Sequence, residues 1–371
     1  MMMRHTLCSV LLCALCIAAC SRPAKSTAAP DAAAADSATP PSMADTTVTI
    51  AMTGDVMLGT EYPERKMPPD GGRRLFADAA PVLSAADVAC GNQEGVLGDG
   101  LKPRQKPQSK FSYYFLTPSR MARLEAEAGY DFMGMANNHA LDFLAPGVAS
   151  TRRVLDRLGI GHAGTDGDEM ALKRIGGVTY GFAAFGHNWG TLLTTDTARV
   201  SRIVRRLRQL ADVVVVSFHG GGEGLEHRRL PHGTERYLGD NRGNVRQFAR
   251  LCVDRGADVV YGHGPHVVRA IEVYRGHLIA YSLGNFCTPC GISVAGKSGL
   301  APLLTATISR NTGRLVEGRI HSMRQEWGTG PRLDPQHRAA REIAALTAAD
   351  IAPAFRPRLS PDGRITPPPA Q

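Results

Sequence analysis

Alternating apolar and polar runs divide most of the chain into strands and helices. Thr46 to Thr53 (TTVTIAMT) is β-branched and apolar and predicts a first strand. Leu75 to Ala85 reads as a helix and Asp87 to Cys90 as a short strand. Pro118 to Ala128 has proline at its start and Gly129 after its end, the asymmetry of a helix. Asp131 to Met135 predicts a strand, and Pro146 to Leu158, closed by Gly159, a helix. Val178 to Phe185 predicts a strand and Ala198 to Leu210 a helix. The continuous apolar run Asp212 to Phe218 (DVVVVSF) has the pattern of a strand buried on both faces. Asn244 to Arg255 is a helix closed by Gly256, followed by strands at Asp258 to Gly262 and His277 to Leu283. Leu303 to Ser309 and Leu315 to Met323 predict a hairpin around Asn311-Thr312-Gly313. The alternation runs from 46 to 330 without an internal boundary or repeat. It implies one α/β domain with a largely parallel sheet covered on both faces.

The ends have a different composition. Arg4 precedes an apolar run, Leu7 to Ala19, that is short for a membrane span and ends in small residues, the pattern of a secretory signal. Ile17-Ala18-Ala19-Cys20-Ser21 is similar to a lipoprotein processing box, with Cys20 acylated after cleavage; an ordinary signal peptide cleaved nearby is the alternative. Residues 20–45 are nearly all Ala, Pro, Ser, Thr and Asp and predict a flexible tether. Residues 331–371 predict a C-terminal helix and a Pro/Arg-rich tail, mobile from Arg356 onward. The expected location is the cell envelope, on a membrane through Cys20 and facing the periplasm or exterior.

Charge adds little to that picture. The net charge of +9 falls by one when 1–19 are removed, because Arg4 is the only charged side chain there. Arginines share one face of the predicted helix Ser201 to Leu210; this is a solvated helix face or, alternatively, an attractor of an anionic polymer or membrane. There is no nucleic-acid motif, and export argues against that partner. Cys287-Thr288-Pro289-Cys290 permits a local disulfide outside the cytoplasm, but one CxxC is too few ligands for a structural zinc site.

Candidate chemistry sits at the strand ends. Six predicted strands are each followed by a polar cluster: Gly54-Asp55; Asn92-Gln93-Glu94; Asn137-Asn138-His139 with Asp142; His219 through Glu223; His263-Gly264-Pro265-His266; and Gly284-Asn285-Phe286. In parallel α/β sheets the carboxyl ends of strands lie on one side and bind ligands there. Each cluster alone is as compatible with a helix cap or turn as with a site. Together they predict one pocket of acids, amides and imidazoles. That mixture suits manganese, zinc or iron rather than calcium, as one or two ions. Asp55, Glu94, Asn138, His219, His263 and His266 are the candidate ligands. His139, His219 and Glu223 are candidate catalytic groups, and Asn92, Asn137 and Asn285 candidate substrate contacts.

These motifs, in this order over residues 48 to 290, resemble those of the poly-γ-glutamate capsule-synthesis (CapA-like) family. The resemblance implies a metallophosphatase-like four-layer sandwich: two mixed sheets flanked by helices. It also implies metal ligands in the order acid, acid, Asn-His, His and a final His pair. By that match His139 joins the candidate ligands. The chain departs from the superfamily pattern in three places. Val56-Met57 follow Asp55 where Asp-x-His is usual, Glu94 stands in place of an aspartate, and two residues separate His263 from His266. Two functions follow as expectations. One is a metal-dependent hydrolase or transferase acting on an envelope polymer. The other is a non-catalytic component that binds or exports such an anionic polymer or its precursor.

Overall fold

The computed structural model describes residues 46–105 and 113–369. The segments expected as signal peptide and tether, and the expected lipidation site at Cys20, lie outside the described residues.

The strands that build the two main sheets are β1 (Thr47–Val56), β2 (Val88–Gln93), β3 (Phe132–Gly134), β4 (Gly161–Ala163), β5 (Ala171–Ile175), β6 (Val178–Phe185), β7 (Val213–His219), β8 (Val259–His263), β9 (Ile271–Tyr274), β10 (His277–Ala280), β11 (Asn285–Cys287), β12 (Leu303–Ser309), β13 (Leu315–His321), β14 (Arg358–Leu359) and β15 (Arg364–Thr366). The helices are α1 (Ala80–Ala85), α2 (Arg123–Ala128), α3 (Leu144–Arg157), α4 (Thr197–Leu210), α5 (Val245–Asp254) and α6 (Arg338–Asp350).

One sheet runs β14-β15-β13-β12-β1-β2-β3-β4, with β11 added beside the end of β1. The other runs β9-β10-β8-β7-β6-β5. Both are mixed: parallel pairs such as β1–β2 and β7–β8 sit beside antiparallel ones such as β1–β12 and β5–β6. The sheets pack face to face. Phe132 of β3 stacks on Phe182 of β6 with ring centroids 4.6 Å apart. Tyr261 of β8 donates a hydrogen bond from its hydroxyl to the Gly91 carbonyl of β2. Strand β7 is buried at every position, because the other sheet covers one face and α4 and α5 the other. Helices α1 to α3 cover the outer face of the first sheet. This is the expected four-layer α/β sandwich.

Three differences have physical causes. The helix expected from Leu75 is helical only over Ala80–Ala85, because Pro81 belongs in a first turn and its ring blocks helix before it. The segment from Pro118 starts as a 3-10 turn, Ser119–Ala122, before α2. The tail expected to be mobile from Arg356 instead completes the first sheet: β15 pairs with β13, and Ile365 is fully buried. Ile365→Ala is therefore expected to cost about 2–5 kcal/mol, a core truncation rather than a change in a loose tail. Urea unfolding checks this, and a change below about 0.5 kcal/mol would return the segment to the tail.

On the arginine-bearing helix α4, Arg202 pairs with Glu169 and Arg208 with Asp258. Part of that basic face is thus neutralised within the protein. Cys287 and Cys290 are buried free thiols, and burial raises Cys287 well above the usual thiol range. Among the described residues no helix is long and apolar enough to cross a membrane.

Candidate functional site

Strand register assembles the site. In the first sheet Asp55 lies opposite Asn92 on one side and Asn285 on the other. In the second sheet His219 lies opposite His263. The ladder shifts register on both sides of Asp55, an irregularity of the kind that re-aims a side chain. Glycine is required just before it: a Cβ on Gly54 would fall 1.8 Å from the Gly284 carbonyl oxygen. His266 sits in the left-handed backbone region at φ 56°, an uncommon conformation for a non-glycine residue.

The two sheets meet at these strand ends. Asp55, His219 and His263 each offer a ligand atom within 4.8 Å of the other two, and all three are buried. His219 Nδ1 lies 3.0 Å from His263 Nδ1 and 3.5 Å from Glu94 Oε2. His263 Nδ1 lies 3.7 Å from Asp55 Oδ1. Ligand bonds of about 2.0–2.1 Å put neighbouring donor atoms roughly 3.0–3.4 Å apart in six- to four-coordinate geometry. The observed spacings bracket that range. His219 Nε2, His263 Nε2 and Glu94 Oε1 are buried and have no hydrogen-bond partner among the described residues. The donor set, the spacing of the Nδ1 and carboxylate atoms, and the unpartnered Glu94 Oε1 fit a small divalent cation.

The electrostatics agree. Burial lowers His219 well below its ordinary value, and neighbouring His263, His187 and His266 add to the shift. Burial pushes His263 down to about 4, against the attraction of Asp55. Both rings are therefore neutral at pH 7, the form that ligates metal. Burial raises the Glu94 carboxyl well above the usual range, and the Asp55 charge raises it further. Burial opposes charge on His266 as well, but its hydrogen bond to Asp55 and the carboxylate's charge prevail and push it up to about 10. His266 Nδ1 stands 3.0 Å from Asp55 Oδ2 and 2.9 Å from Asn285 Oδ1.

The other sequence candidates surround this group. Asn92 and Asn285, expected to touch substrate, are fully buried instead. Asn92 donates to Asp55 at 2.9 Å and to Glu94 at 2.6 Å. The Asn285 side chain donates to backbone carbonyls of Ser293 and Ser298. Asn137 donates to Asn92 Oδ1 and to the Gln93 carbonyl. Asn92 thus holds both acids directly, and Asn137 holds Asn92. Asn138 and His139 instead line an adjoining cavity of about 460 Å³, together with His266 and Glu223. His139 Nδ1 lies 2.8 Å from Asp142 Oδ2, and its ring packs on Phe115. Glu223 accepts from Arg242 at 2.8 Å.

Sequence reasoning missed His187, Arg242 and Arg104. His187 Nδ1 lies 3.2 Å from the His219 carbonyl oxygen, and burial drives its pKa down to about 3. Gly186-His187-Asn188 follows β6 as the other clusters follow their strands, so the same rule finds it. Arg242 and Arg104 carry no such mark. Arg242 reaches the cavity on the Glu235–Tyr237 and Asp240–Gly243 hairpin. That hairpin is anchored by Arg269, which is fully buried and donates to both Glu235 oxygens at 2.8 and 2.7 Å. Glu235 also accepts from the Gly222 backbone at 2.9 Å, tying the His219–Glu223 loop to the hairpin.

A second buried carboxyl lies behind the site. Burial pushes Glu125 up to about 8 from a usual value of 4.5. The Gln93 amide nitrogen, turned toward it, donates to both oxygens at 3.0 and 3.2 Å. The folded protein holds this proton over a range in which the unfolded chain releases it. Its contribution to stability is complete below pH 4.5 and is lost as pH rises through about 8. Glu125→Gln is expected to remove a slope of up to roughly 1.4 kcal/mol per pH unit in that window. Urea unfolding of both proteins across the window reads this directly, and parallel stability curves would contradict it.

Comparison with known proteins gives a consistent set of relatives. The family model described as bacterial capsule synthesis protein PGA_cap matches residues 49–289. The PGA biosynthesis protein CapA of Bacillus subtilis (strain 168) is 29% identical over 260 residues, 66% of this chain and 64% of that protein. The capsule biosynthesis protein CapA of Bacillus anthracis is 29% identical over 261 residues, 64% of this chain and 59% of that protein. The matched stretch thus spans less than two thirds of either relative. Among solved structures, a novel phosphatase from Mycoplasma pneumoniae aligns at TM-score 0.49 with 13% identity, covering 78% of this chain and 95% of its own.

Proposed function

Because the chain belongs to the bacterial capsule synthesis protein family PGA_cap, we propose that it is a metal-dependent hydrolase or transferase of the cell envelope, acting on an anionic polymer of the poly-γ-glutamate type. The observation that carries this reading is the buried Asp55–His219–His263 group beneath a cavity that also presents Arg104 and Arg242. A divalent ion held by Asp55, His219 and His263, with Glu94 beside them, would act as a Lewis acid toward an acyl or phosphoryl oxygen.

The chain's own residues supply the rest. Arg104 and Arg242 attract an acidic group, and Glu223 holds Arg242 in place. Asp142 accepts from His139 Nδ1–H and fixes the ring tautomer, which leaves Nε2 to take or deliver a proton. His266, bonded to both Asp55 and Asn285, keeps the first acid in register with the second sheet. The Cys20 lipid anchor and the envelope location belong to the same proposal. A purely binding role has less support, because a polymer-binding groove has no need of two buried neutral imidazoles beside two acids.

Incubation of the purified chain with a divalent metal and γ-linked polyglutamate tests this, with new amine ends and product size as readout. His139→Ala is expected to slow turnover by about 10²–10⁴-fold while metal content is kept. No turnover of amide or phosphoester substrates by the metal-loaded protein would remove the hydrolase and leave a binding protein.

A further inference from the structure

The cavity above the histidines has a second arm. A space of about 290 Å³ adjoins the first and shares Arg104, Asn138, Asn188 and Asp240 with it. His187 and Trp189 line the second space alone, whereas His139, His266 and Arg242 line the first alone. The cleft therefore continues on both sides of Asn138 and does not end at the reaction centre.

The second arm has a chemistry of its own. His187 donates from Nδ1 to the His219 carbonyl, so its Nε2 carries a bare lone pair. That Nε2, Asn138 Oδ1 and Asn188 Oδ1 are buried acceptors without partners among the described residues. Buried acceptors left unpaired are costly unless a ligand brings donors to them. Where the arms meet stands Arg104, whose buried Nε also has no hydrogen-bond partner among the described residues. Trp189, 73% exposed, forms the outer edge.

Building on the hydrolase reading above, we infer that this arm is a second substrate subsite, so that the protein engages the interior of an amide-linked acidic chain rather than its end. In an extended chain of this type each unit offers one amide N–H donor and one carboxylate. The N–H groups match the three acceptors, and a carboxylate matches Arg104. Trp189 covers the methylene stretch between them. A site selective for chain ends needs a wall or a charged group that closes one arm, whereas here the charged Arg104 and Asp240 line both arms and the open side is bounded by an exposed tryptophan.

Calorimetric titration of the metal-loaded chain with γ-linked glutamate oligomers of increasing length tests the inference. Each oligomer is used with free ends and with both ends blocked by acetylation and amidation. The expected result is an affinity that rises by at least about tenfold from dimer to long oligomer, about 1.4 kcal/mol, and is unchanged by blocking. Trp189→Ala is expected to abolish the gain with length and leave dimer binding as it was, because Trp189 lines the second arm and not the first. Trp189 is exposed, so its removal leaves the fold intact and the test valid. A requirement for a free end, or equal weakening of dimer and long oligomer in Trp189→Ala, overturns the inference and leaves the hydrolase reading intact. No binding at any length overturns both.

Discussion

Asp55→Ala is expected to lower the affinity of the purified protein for divalent metal by more than about a hundredfold. Asp55 is the hub of the site. It abuts His263, bonds His266, and receives the Asn92 amide that also holds Glu94. Removing a group that merely orients a ligand costs 10–100-fold in metal affinity, so loss of a ligand that also orients its neighbours should cost more. Asn92→Ala, which strips the support and keeps both acids, is expected to fall within that 10–100-fold range. Competition with a fluorescent chelator ranks the three proteins. Equal affinity in wild type and Asp55→Ala would place any metal elsewhere.

Arg269→Met is expected to destabilise the fold by about 3–5 kcal/mol, because it strands Glu235 in a buried position without its cation. The effect should reach the site, since Glu235 also holds the backbone of Gly222 and anchors the hairpin that carries Arg242. Arg269→Met combined with Glu235→Leu should recover most of the stability, as replacing a whole buried ion pair by apolar groups is often neutral. Denaturant unfolding separates these outcomes. If the double variant is as unstable as the single one, packing around Arg269 matters rather than its charge pair.

The sequence pattern was most legible where one layer of structure decides the outcome. Val178–Phe185 and Leu303–Ser309 are strands at the expected bounds, because long apolar or β-branched runs between polar turns admit few alternatives. The helix from Asn244 starts as expected, with the Asn244 side chain accepting from the Gln247 backbone N–H. Short strands near the sheet edges were not legible. Gly161–Ala163 and Arg364–Thr366 have three residues each, and their pairing comes from the neighbouring strand rather than from local pattern. The tail escapes notice for the same reason: Pro and Arg dominate its composition, while Ile365, with Leu359 packed beside it, fixes it in the core.

The site followed the same division. Asp55, Glu94, His219 and His263 were visible because strand ends in parallel sheets converge, and register brings them together. The division between metal-facing groups and supports was not visible. Whether Asn92 faces substrate or an acid depends on the sheet-to-sheet contact, which no local stretch encodes. Arg242 was invisible because its hairpin is placed over the cavity by a distant buried pair, Arg269 and Glu235.

Anomalous scattering from crystals of the purified protein, collected on both sides of the zinc, manganese and iron edges, addresses the centre directly. The expected result is a peak bounded by Asp55, His219 and His263, with Glu94 alongside. Difference maps without any peak there, from protein prepared with excess divalent metal, would contradict the assignment of these strand ends as a metal centre.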